Sequence, residues 1–552
     1  MGRLHFFLFA AFLAFFCAAP SHAQSTSPFT TSLGFGAWQK PPAQLPPPQG
    51  LQDHVVNGKL TLTLDDSIRL ALANNTDIRI DRAQIDFAVA NLQRTHSPFD
   101  PVANSTFSDS RAKSPAISLI QGTTSILDTL SQSAGLGYTQ TFQSGTNLQA
   151  SVSGSKSATN SNLAFVNPSV STNAQFTVTQ PLLRNFGFFP NRAPILIAQA
   201  NLKQARANFT AEVSNIILQV VNDYWNVILA RENLEVQRKS LDEAQKSYEH
   251  DKKALSLGAL PPLDIYRSES QVASQRVGVI QAEYALMQSS DVFRRDIGAD
   301  LDPNIRALDL DLTDQPAPVG ELPTMDIATA LSRALANRPE FDSAREQLAS
   351  DELAIRLAHN NLKPDLELSA FYAGNGVAGN QFNLNPTPPQ LVSSTGFSDS
   401  FSQTFHFTYP AYGASLTLNL PVRRHSAEAN LADALLNRGR DQYQERRTNQ
   451  AVTLEVTNAV HALEQAKLSM EAAKVAESLA VDTLHADERK YELGAEPVFF
   501  VLDAQTRLAQ AELNLIQSQV NFQLAVAQLD HATGDLLDHH HVQIVGSQNP
   551  HP

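Results

Sequence analysis

Three short groups of polar residues in this chain could do chemistry. The first, residues 374–379 (Gly-Asn-Gly-Val-Ala-Gly), matches the G-x-G-x-x-G pattern of dinucleotide-binding loops. That pattern binds phosphate only where a helix follows and presents its N-terminal N–H groups. The next residues, 380–386, read Asn-Gln-Phe-Asn-Leu-Asn-Pro, which is not a helical sequence. We therefore interpret the motif as an exposed loop between strands, without a nucleotide cofactor.

The other two groups contain histidine. Residues 538–541, Asp-His-His-His, could bind a metal ion, but the residues beyond them offer no rigid scaffold, and a solvated tail over 539–552 is the preferred interpretation. Asp482 and His485 form at most half of a di-iron helix motif, whose second copy is absent. No combination of nucleophile, base and orienting group stands out. The sequence predicts no enzyme, no metal site and no cofactor.

An internal repeat organises the elements around these groups. Residues 71–75 (Ala-Leu-Ala-Asn-Asn) return as 334–338 (Ala-Leu-Ala-Asn-Arg), and 257–261 (Leu-Gly-Ala-Leu-Pro) return as 493–497 (Leu-Gly-Ala-Glu-Pro). Such self-similarity means that one structural unit was built twice. We assign repeat 1 to 59–301 and repeat 2 to 324–538, with a linker over 302–323.

Each repeat contains a very long helix with seven-residue spacing of apolar residues. The rows are Val213, Val220, Val227, Leu234, Leu241, Tyr248 and Leu255, then Val456, Leu463, Met470, Glu477, Leu484 and Tyr491. This spacing is typical of coiled-coil packing. Predicted helices over 191–256 and 424–492 would each be about 100 Å long, too long for an ordinary helical bundle. A further helix follows each, over 262–300 and 497–534.

The N-terminus and the composition restrict location and partners. Residues 1–23 read as a secretory signal peptide, and 24–58 as a proline-rich extended arm. The only cysteine, Cys17, lies in the signal peptide, and Phe16 before it disfavours lipidation. The mature chain is therefore exported without disulfides. A net charge of −14 argues against a nucleic-acid partner.

Strand patterns occupy the middle of each repeat, over 102–180 and 365–420. Ser, Thr, Gly and Asn alternate there with apolar residues, and 144–146 predicts a hairpin turn. The first strand region is 23 residues longer than the second, which predicts an additional hairpin in repeat 1. Strands of about ten residues suit a tilted membrane crossing. Because open sheet edges are not tolerated in lipid, such strands require several chains to close a barrel.

In this order and spacing, the chain resembles the TolC family of outer-membrane efflux ducts. The resemblance rests on the two paired strings and on Gln180-Pro181-Leu182-Leu183 after the first strand region. It implies a mainly α fold with a membrane β part. Three chains would form a homotrimer in which four strands per chain make a twelve-stranded outer-membrane β-barrel and the helices make a periplasmic α-barrel. Such ducts lie in the outer membrane of Gram-negative-type cells and accept substrates from an inner-membrane transporter through a periplasmic adaptor.

The resemblance also assigns the two breaks between helices to the periplasmic tip, which contacts the adaptor. Its residues are Leu257, Gly258, Ala259, Pro261, Leu493, Gly494, Ala495 and Pro497. Glycine suits the left-handed end of a helix, and proline suits the first turn of the next.

The same resemblance assigns a role in the gate to individual residues of this chain. Tyr491 would bond toward Asp264, and Asp503 and Phe500 would form two rings at the constriction, whereas Glu496 replaces a family arginine. Three Asp503 carboxylates would favour cations. Alternatively, Asp264 and Asp503 only stabilise N-terminal helix turns.

A different class of function remains open at this point. A periplasmic coiled-coil scaffold or adaptor without a pore would share the long helices, but it has no need for alternating strands or trimeric closure.

Overall fold

The computed structural model describes residues 45, 47–115, 126–161, 164–257, 263, 265–318, 324–385, 389–493 and 495–542. The chain divides into two compact units, Met1–Pro48 and Gln49–Pro552. All elements below belong to the second unit. The predicted signal peptide, 1–23, and most of the proline-rich arm lie outside the described residues.

The described residues contain the following helices and strands. The first half has, in order, β1 (Val55–Val56), β2 (Lys59–Leu62), α1 (Leu64–Asn74), α2 (Thr76–Arg94), β3 (Val102–Pro115), β4 (Ile126–Thr141), β5 (Asn147–Thr159), β6 (Val166–Pro181), α3 (Phe188–Ser256), α4 (Ile265–Asp296), α5 (Pro303–Arg306) and β7 (Asp309–Leu312). The second half has α6 (Ile327–Asn337), α7 (Pro339–Asn361), β8 (Asp365–Asn383), β9 (Gln390–Ser394), α8 (Phe397–Phe405), β10 (Tyr409–Asn419), α9 (His425–Glu492), α10 (Val498–Thr533) and α11 (Leu536–His539).

The long helices α3 and α9 have 69 and 68 residues, so each is about 100 Å long. Their seven-residue rows form the packed seams: the buried members are Val213, Val220, Val227, Leu234, Val456, Leu463, Met470 and Leu484. Helix α3 packs against α2, α4, α7 and α10, and α9 packs against α7 and α10. In the described part of the chain, no helix has the length and apolarity needed to cross a bilayer.

The repeated Ala-Leu-Ala-Asn strings end helices, and each final asparagine meets a glycine. A Cβ on Gly298, just after α4, would lie 2.6 Å from Cβ of Asn74. A Cβ on Gly534, just after α10, would lie 3.1 Å from Cβ of Asn337. Both glycines have positive φ, +73° and +82°. The two repeats therefore use one joint twice, and only glycine fits it without strain.

A small sheet corrects two predictions. Strand β2 pairs antiparallel with β1 and parallel with β7. The end of the predicted extended arm, 49–58, is therefore folded, and Leu51 within it is buried in the core. The predicted linker, 302–323, contains helix α5 and strand β7. The linker pairs with residues 59–62, about 250 positions earlier in the chain. Local sequence patterns cannot show a contact between segments so far apart.

Over the described residues, the strand regions form one large sheet of seven strands in the order β10-β8-β6-β5-β4-β3, with β9 paired beside the end of β8. The prediction of four strands per chain is therefore wrong. Repeat 1 contributes four strands, and repeat 2 contributes β8, β10 and the short β9. Along the main path of the sheet, repeat 1 has four strands and repeat 2 has two, so the greater length of the first strand region corresponds to one additional hairpin.

The two faces of the large sheet differ in polarity. On β8 and β10 one face carries, in paired rows, Leu366, Leu368, Ala370 and Tyr372 beside Leu418, Leu416, Ala414 and Tyr412. On β6 the same face carries Val178, Phe176 and Ala174, whereas the opposite face carries Thr179, Thr177, Gln175 and Asn173. Tyr412, Leu416 and Leu418 are exposed. One face is thus apolar and unprotected, and the other is polar.

The glycine motif 374–379 lies within strand β8, so its prediction as a loop is wrong. Helix α8 packs directly on two of its glycines, Gly374 and Gly376. A Cβ on Gly376 would lie only 1.9 Å from the carbonyl oxygen of Ser400, and one on Gly374 would lie 2.2 Å from that of Thr404. The glycines therefore let a helix backbone lie directly on the apolar face of the sheet.

Candidate functional site

The candidate gate lies where α3 and α9 end. Leu257 N–H donates to the Lys253 carbonyl (3.1 Å), and Leu493 N–H donates to the Arg489 carbonyl (3.2 Å). Both leucines are exposed, at 82% and 72%. Pro497 directly precedes α10, as the repeated break predicts.

Several predicted tip and gate residues lie outside the described residues. They are Gly258, Ala259, Pro261, Asp264 and Gly494. The predicted bond between Tyr491 and Asp264 therefore stays a prediction.

Tyr491 instead has a partner that the sequence analysis missed. Its hydroxyl donates to Oδ1 of Asp251 on α3 (3.3 Å) and lies 3.5 Å from Nδ1 of His250. The Asp251 side chain is buried, and its Oδ2 accepts a short hydrogen bond from the Ser268 hydroxyl on α4. Burial and the Asp251 carboxylate raise the pKa of Tyr491, so its hydroxyl stays protonated. Three helices, α3, α4 and α9, thus meet at one carboxylate.

No signal in the sequence pointed to Asp251. Its own seven-residue row reads Ile216, Asp223, Ala230, Gln237, Ala244 and Asp251, which mixes apolar and polar residues. Asp251 also lies off the apolar row that the seven-residue spacing selects on α3, so the spacing does not single it out.

Glu496 stabilises the turn between α9 and α10. Lys490 Nζ lies 3.0 Å from Glu496 Oε1 and 3.1 Å from Asp487 Oδ1. Hydrogen bonds to these two acids raise the pKa of Lys490. Glu496, predicted as a departure from the family pattern, therefore pairs within its own turn.

Asp503 and Phe500 lie on the first turns of α10. Asp503 Oδ2 is 2.8 Å from Nε of Arg507, one turn later on the same helix. Phe500 is 44% exposed, and its ring lies edge-on to that of Phe499, with centroids 5.5 Å apart. Each chain therefore offers exposed aromatic rings and an acid whose charge is partly balanced by Arg507, a residue that the sequence analysis did not consider.

Two neighbouring acids, Asp296 and Asp223, lie away from the tip. Asp296, the last residue of α4, is 5% exposed, and its Oδ1 accepts two hydrogen bonds from Arg295. Its Oδ2 has no donor among the described residues. Burial and the neighbouring Asp223 raise the pKa of Asp296 to about 6. Protonated Asp296 can hydrogen-bond to Asp223, whereas the ionised form is repelled by it.

Two side chains of the histidine tail contact acids in its described part, 539–542, and the rest of the predicted solvated tail lies outside the described residues. His539 Nδ1 lies 2.7 Å from Asp530, and His540 Nδ1 lies 3.1 Å from Asp65. The two histidines therefore pair with different acids. Over the described ranges, which end at residue 542, no three His, Cys, Asp or Glu side chains are grouped to hold a metal ion.

The sequence model of one protein family matches most of this architecture. The family described as "Outer membrane efflux protein" matches residues 147–299 and 330–535, which together exceed half of the chain. The chain belongs to this outer membrane efflux protein family. Its members are channels and not enzymes. The resemblance to TolC-like ducts inferred from the repeat is confirmed.

Solved structures agree on the fold. CmeC, an outer membrane channel of Campylobacter jejuni, superposes with a TM-score of 0.63 at 16% identity, covering 94% of this chain and 93% of that one. The outer-membrane channel OprN gives 0.62 at 17%, covering 86% and 90%. The MtrE outer membrane channel of Neisseria gonorrhoeae, in its open state, gives 0.59 at 17%, covering 86% and 89%. No curated protein sequence matches the chain.

Proposed function

We propose that this family member is a trimeric exit duct of the outer membrane. In this proposal the large sheet crosses the bilayer, the long helices form a periplasmic tunnel, and substrates arrive from an inner-membrane transporter through a periplasmic adaptor. The observation that carries the proposal is the polarity of the sheet. One face is apolar and exposed, the other polar, which is the alternation of a barrel strand between lipid and a water-filled lumen.

Closure of the barrel requires other copies of the chain. Strands β3 and β10 are the two edges of the sheet, and all 14 residues of β3 are exposed. In lipid their unpaired N–H and C=O groups must find partners. If β3 of each copy pairs with β10 of the next, three copies with six path strands each would close a barrel of eighteen strands, three times six.

The gate is proposed at the tip. Asp251 and Tyr491 link the ends of α3 and α9, while Phe500 and Asp503 would line the constriction formed by three copies of α10. The exposed leucines at the turns, Leu257 and Leu493, are apolar side chains available at the predicted adaptor contact.

The alternative, a periplasmic scaffold or adaptor without a pore, is disfavoured by the same sheet. A water-soluble scaffold would have to leave the apolar face on β6, β8 and β10 in water.

Reconstitution of the purified mature chain tests the proposal. We expect a trimer by light scattering in detergent and discrete single-channel currents in planar bilayers. A monomer that stays soluble without detergent and conducts no ions would contradict it.

A further inference from the structure

Helix α8 has the opposite polarity to a helix packed on a soluble protein. Its residues Ser400 and Thr404 are completely buried against the sheet. Phe397, Phe401 and Phe405, spaced four residues apart on one stripe, are 52%, 42% and 47% exposed. Phenylalanine is normally buried and serine and threonine exposed. The medium outside this helix is therefore expected to be apolar.

The polar side of α8 is bound specifically. The Thr172 hydroxyl on β6 lies 2.7 Å from that of Ser400 and 2.5 Å from that of Thr404. The Thr404 hydroxyl also reaches the Thr172 carbonyl oxygen at 3.2 Å. Every buried hydroxyl in this contact has a partner, so the orientation of the helix is fixed by hydrogen bonds rather than by apolar packing.

The circumference of α8 has three sectors. The first faces the sheet, and the second is the phenylalanine stripe. The third is exposed and polar, with Ser398, Asp399, Ser402 and His406. The sheet-facing sector lies between Gln403 on one side and the phenylalanine stripe on the other. Gln403 accepts a hydrogen bond from Val377 N–H at 3.0 Å, toward the carboxyl end of β8. Thr404, which is next to the stripe, lies over Gly374, toward the amino end of β8. The stripe is thus directed toward the amino end of β8, where the apolar rows lie.

Aromatic rings connect α8 to those rows. Phe401 and Phe405 have ring centroids 4.5 Å apart. Just after the helix, Phe407 lies 5.1 Å from Tyr372, which is stacked on Tyr412 at 6.3 Å. Aromatic belts of this kind mark the level where hydrocarbon meets the headgroups.

The length of β8 places α8 at the same level. The strand reaches the helix at Gly374, nine residues after Asp365, which is about 30 Å of strand at about 3.3 Å per residue. At a tilt of about 40° this spans about 23 Å, close to the height of about 25 Å of the apolar band of a membrane barrel.

We propose that α8 is an interfacial helix that inserts its phenylalanine stripe among the acyl chains of the outer leaflet. The sheet lies on one side of it, hydrocarbon below it and water above it. The glycine motif 374–379 serves to let this helix lie flat on the barrel. The inference rests on the proposed function, in which the apolar face of the sheet contacts lipid.

Spin labels on single cysteines test this placement. The mature chain has no cysteine once the predicted signal peptide is removed, so Phe401→Cys, Ser402→Cys and Leu416→Cys each carry one nitroxide. Ser402 is the matched control on the polar sector of α8, and Leu416 reports on the apolar face of β10. In lipid vesicles, collisions with oxygen, which concentrates in hydrocarbon, are compared with collisions with a water-soluble nickel chelate.

We expect labels at 401 and 416 to collide several-fold more with oxygen than with nickel, and the label at 402 to show the reverse. If 416 prefers oxygen while 401 prefers nickel, α8 lies in water and the inference is wrong, although the membrane sheet stands. A label at 401 shielded from both reagents means that protein covers the stripe, which also overturns it. A nickel preference at 416 would contradict the proposed function itself. If Phe401→Cys fails to form the trimer, Phe405→Cys replaces it.

Discussion

The hydroxyl of Tyr491 donates a hydrogen bond to the buried carboxylate of Asp251, across 3.3 Å, and so joins the end of α9 to the end of α3. The two helices belong to different repeats. The repeat equivalent of Asp251 is Asp487, which pairs instead with Lys490 on its own helix. The same position therefore bridges the repeats in one copy and stays local in the other.

Tyr491→Phe is expected to loosen the tip. It removes a donor from a buried carboxylate, and losing one partner of such a contact costs about 1–3 kcal/mol. If the contact holds the duct closed, single-channel conductance in planar bilayers will rise. Tyr443→Phe is the control, because Tyr443 lies on the same helix and is 75% exposed.

A double-mutant cycle separates this contact from a general loss of stability. Tyr491→Phe and Asp251→Asn should be non-additive in conductance and in unfolding free energy, with a coupling of about 0.5–3 kcal/mol. Additive effects would show that the two residues act independently.

Arg507 is predicted to moderate the charge of Asp503 at the constriction. Arg507→Gln should raise the ratio of cation to anion permeability, and Asp503→Asn should lower it, because charged rings set pore selectivity. Reversal potentials in asymmetric KCl measure both. Arg489→Gln, which breaks an exposed pair with Glu492, is the control. Unchanged selectivity in both Arg507 and Asp503 variants would place this pair away from the pore.

The glycine joints predict opposite effects for three glycine-to-alanine changes. Gly298→Ala and Gly534→Ala should each destabilise the chain, by about 1–2 kcal/mol for the left-handed backbone and more for the clash with Asn74 or Asn337. Gly439→Ala should be neutral or stabilise by up to about 1 kcal/mol, since Gly439 lies within α9 with open space around it. Thermal unfolding in detergent compares the three.

Asp296 predicts a pH dependence of stability. Its pKa is raised to about 6 in the folded chain, so folding favours the protonated carboxyl. This stabilisation is complete below the unfolded pKa, near 4, and is lost as the pH rises through 6.

Asp296→Asn keeps the neutral form at every pH. It should therefore stabilise the protein at pH 8, on the order of 2 to 3 kcal/mol, and flatten the melting temperature between pH 4 and 7. Asp291→Asn is the control, because Asp291 on the same helix is 72% exposed. A wild-type melting temperature that does not fall over this range would contradict the prediction.

The long helices and the membrane-type strands could be predicted because both are periodic. Val220 and Val456 lie on seven-residue rows that only a helix seam explains, and Leu366 and Leu368 alternate as only a strand does. The paired strings gave the order of the elements. Periodicity shows which face of a helix or strand is buried. It therefore identifies the helices and strands well, but it does not show which of them pack against each other.

What the sequence did not show were contacts between distant or irregular segments. Gly374 and Gly376 weaken a strand when considered alone, and only the backbone of α8 against them explains their presence. Asp251 lies off the apolar seven-residue row, and its partners Ser268 and Tyr491 lie 17 and 240 residues away. No local pattern connects such residues.

The parallel pairing of β2 with β7 sets an order of events during folding. Lys59 is paired with Asp309, and Leu64 N–H donates to Asp314, 250 residues later. Closing so large a loop is slow compared with forming hairpins such as β4–β5. Strand β2 can therefore pair with β7 only after the whole first repeat and the segment that follows it have been synthesised.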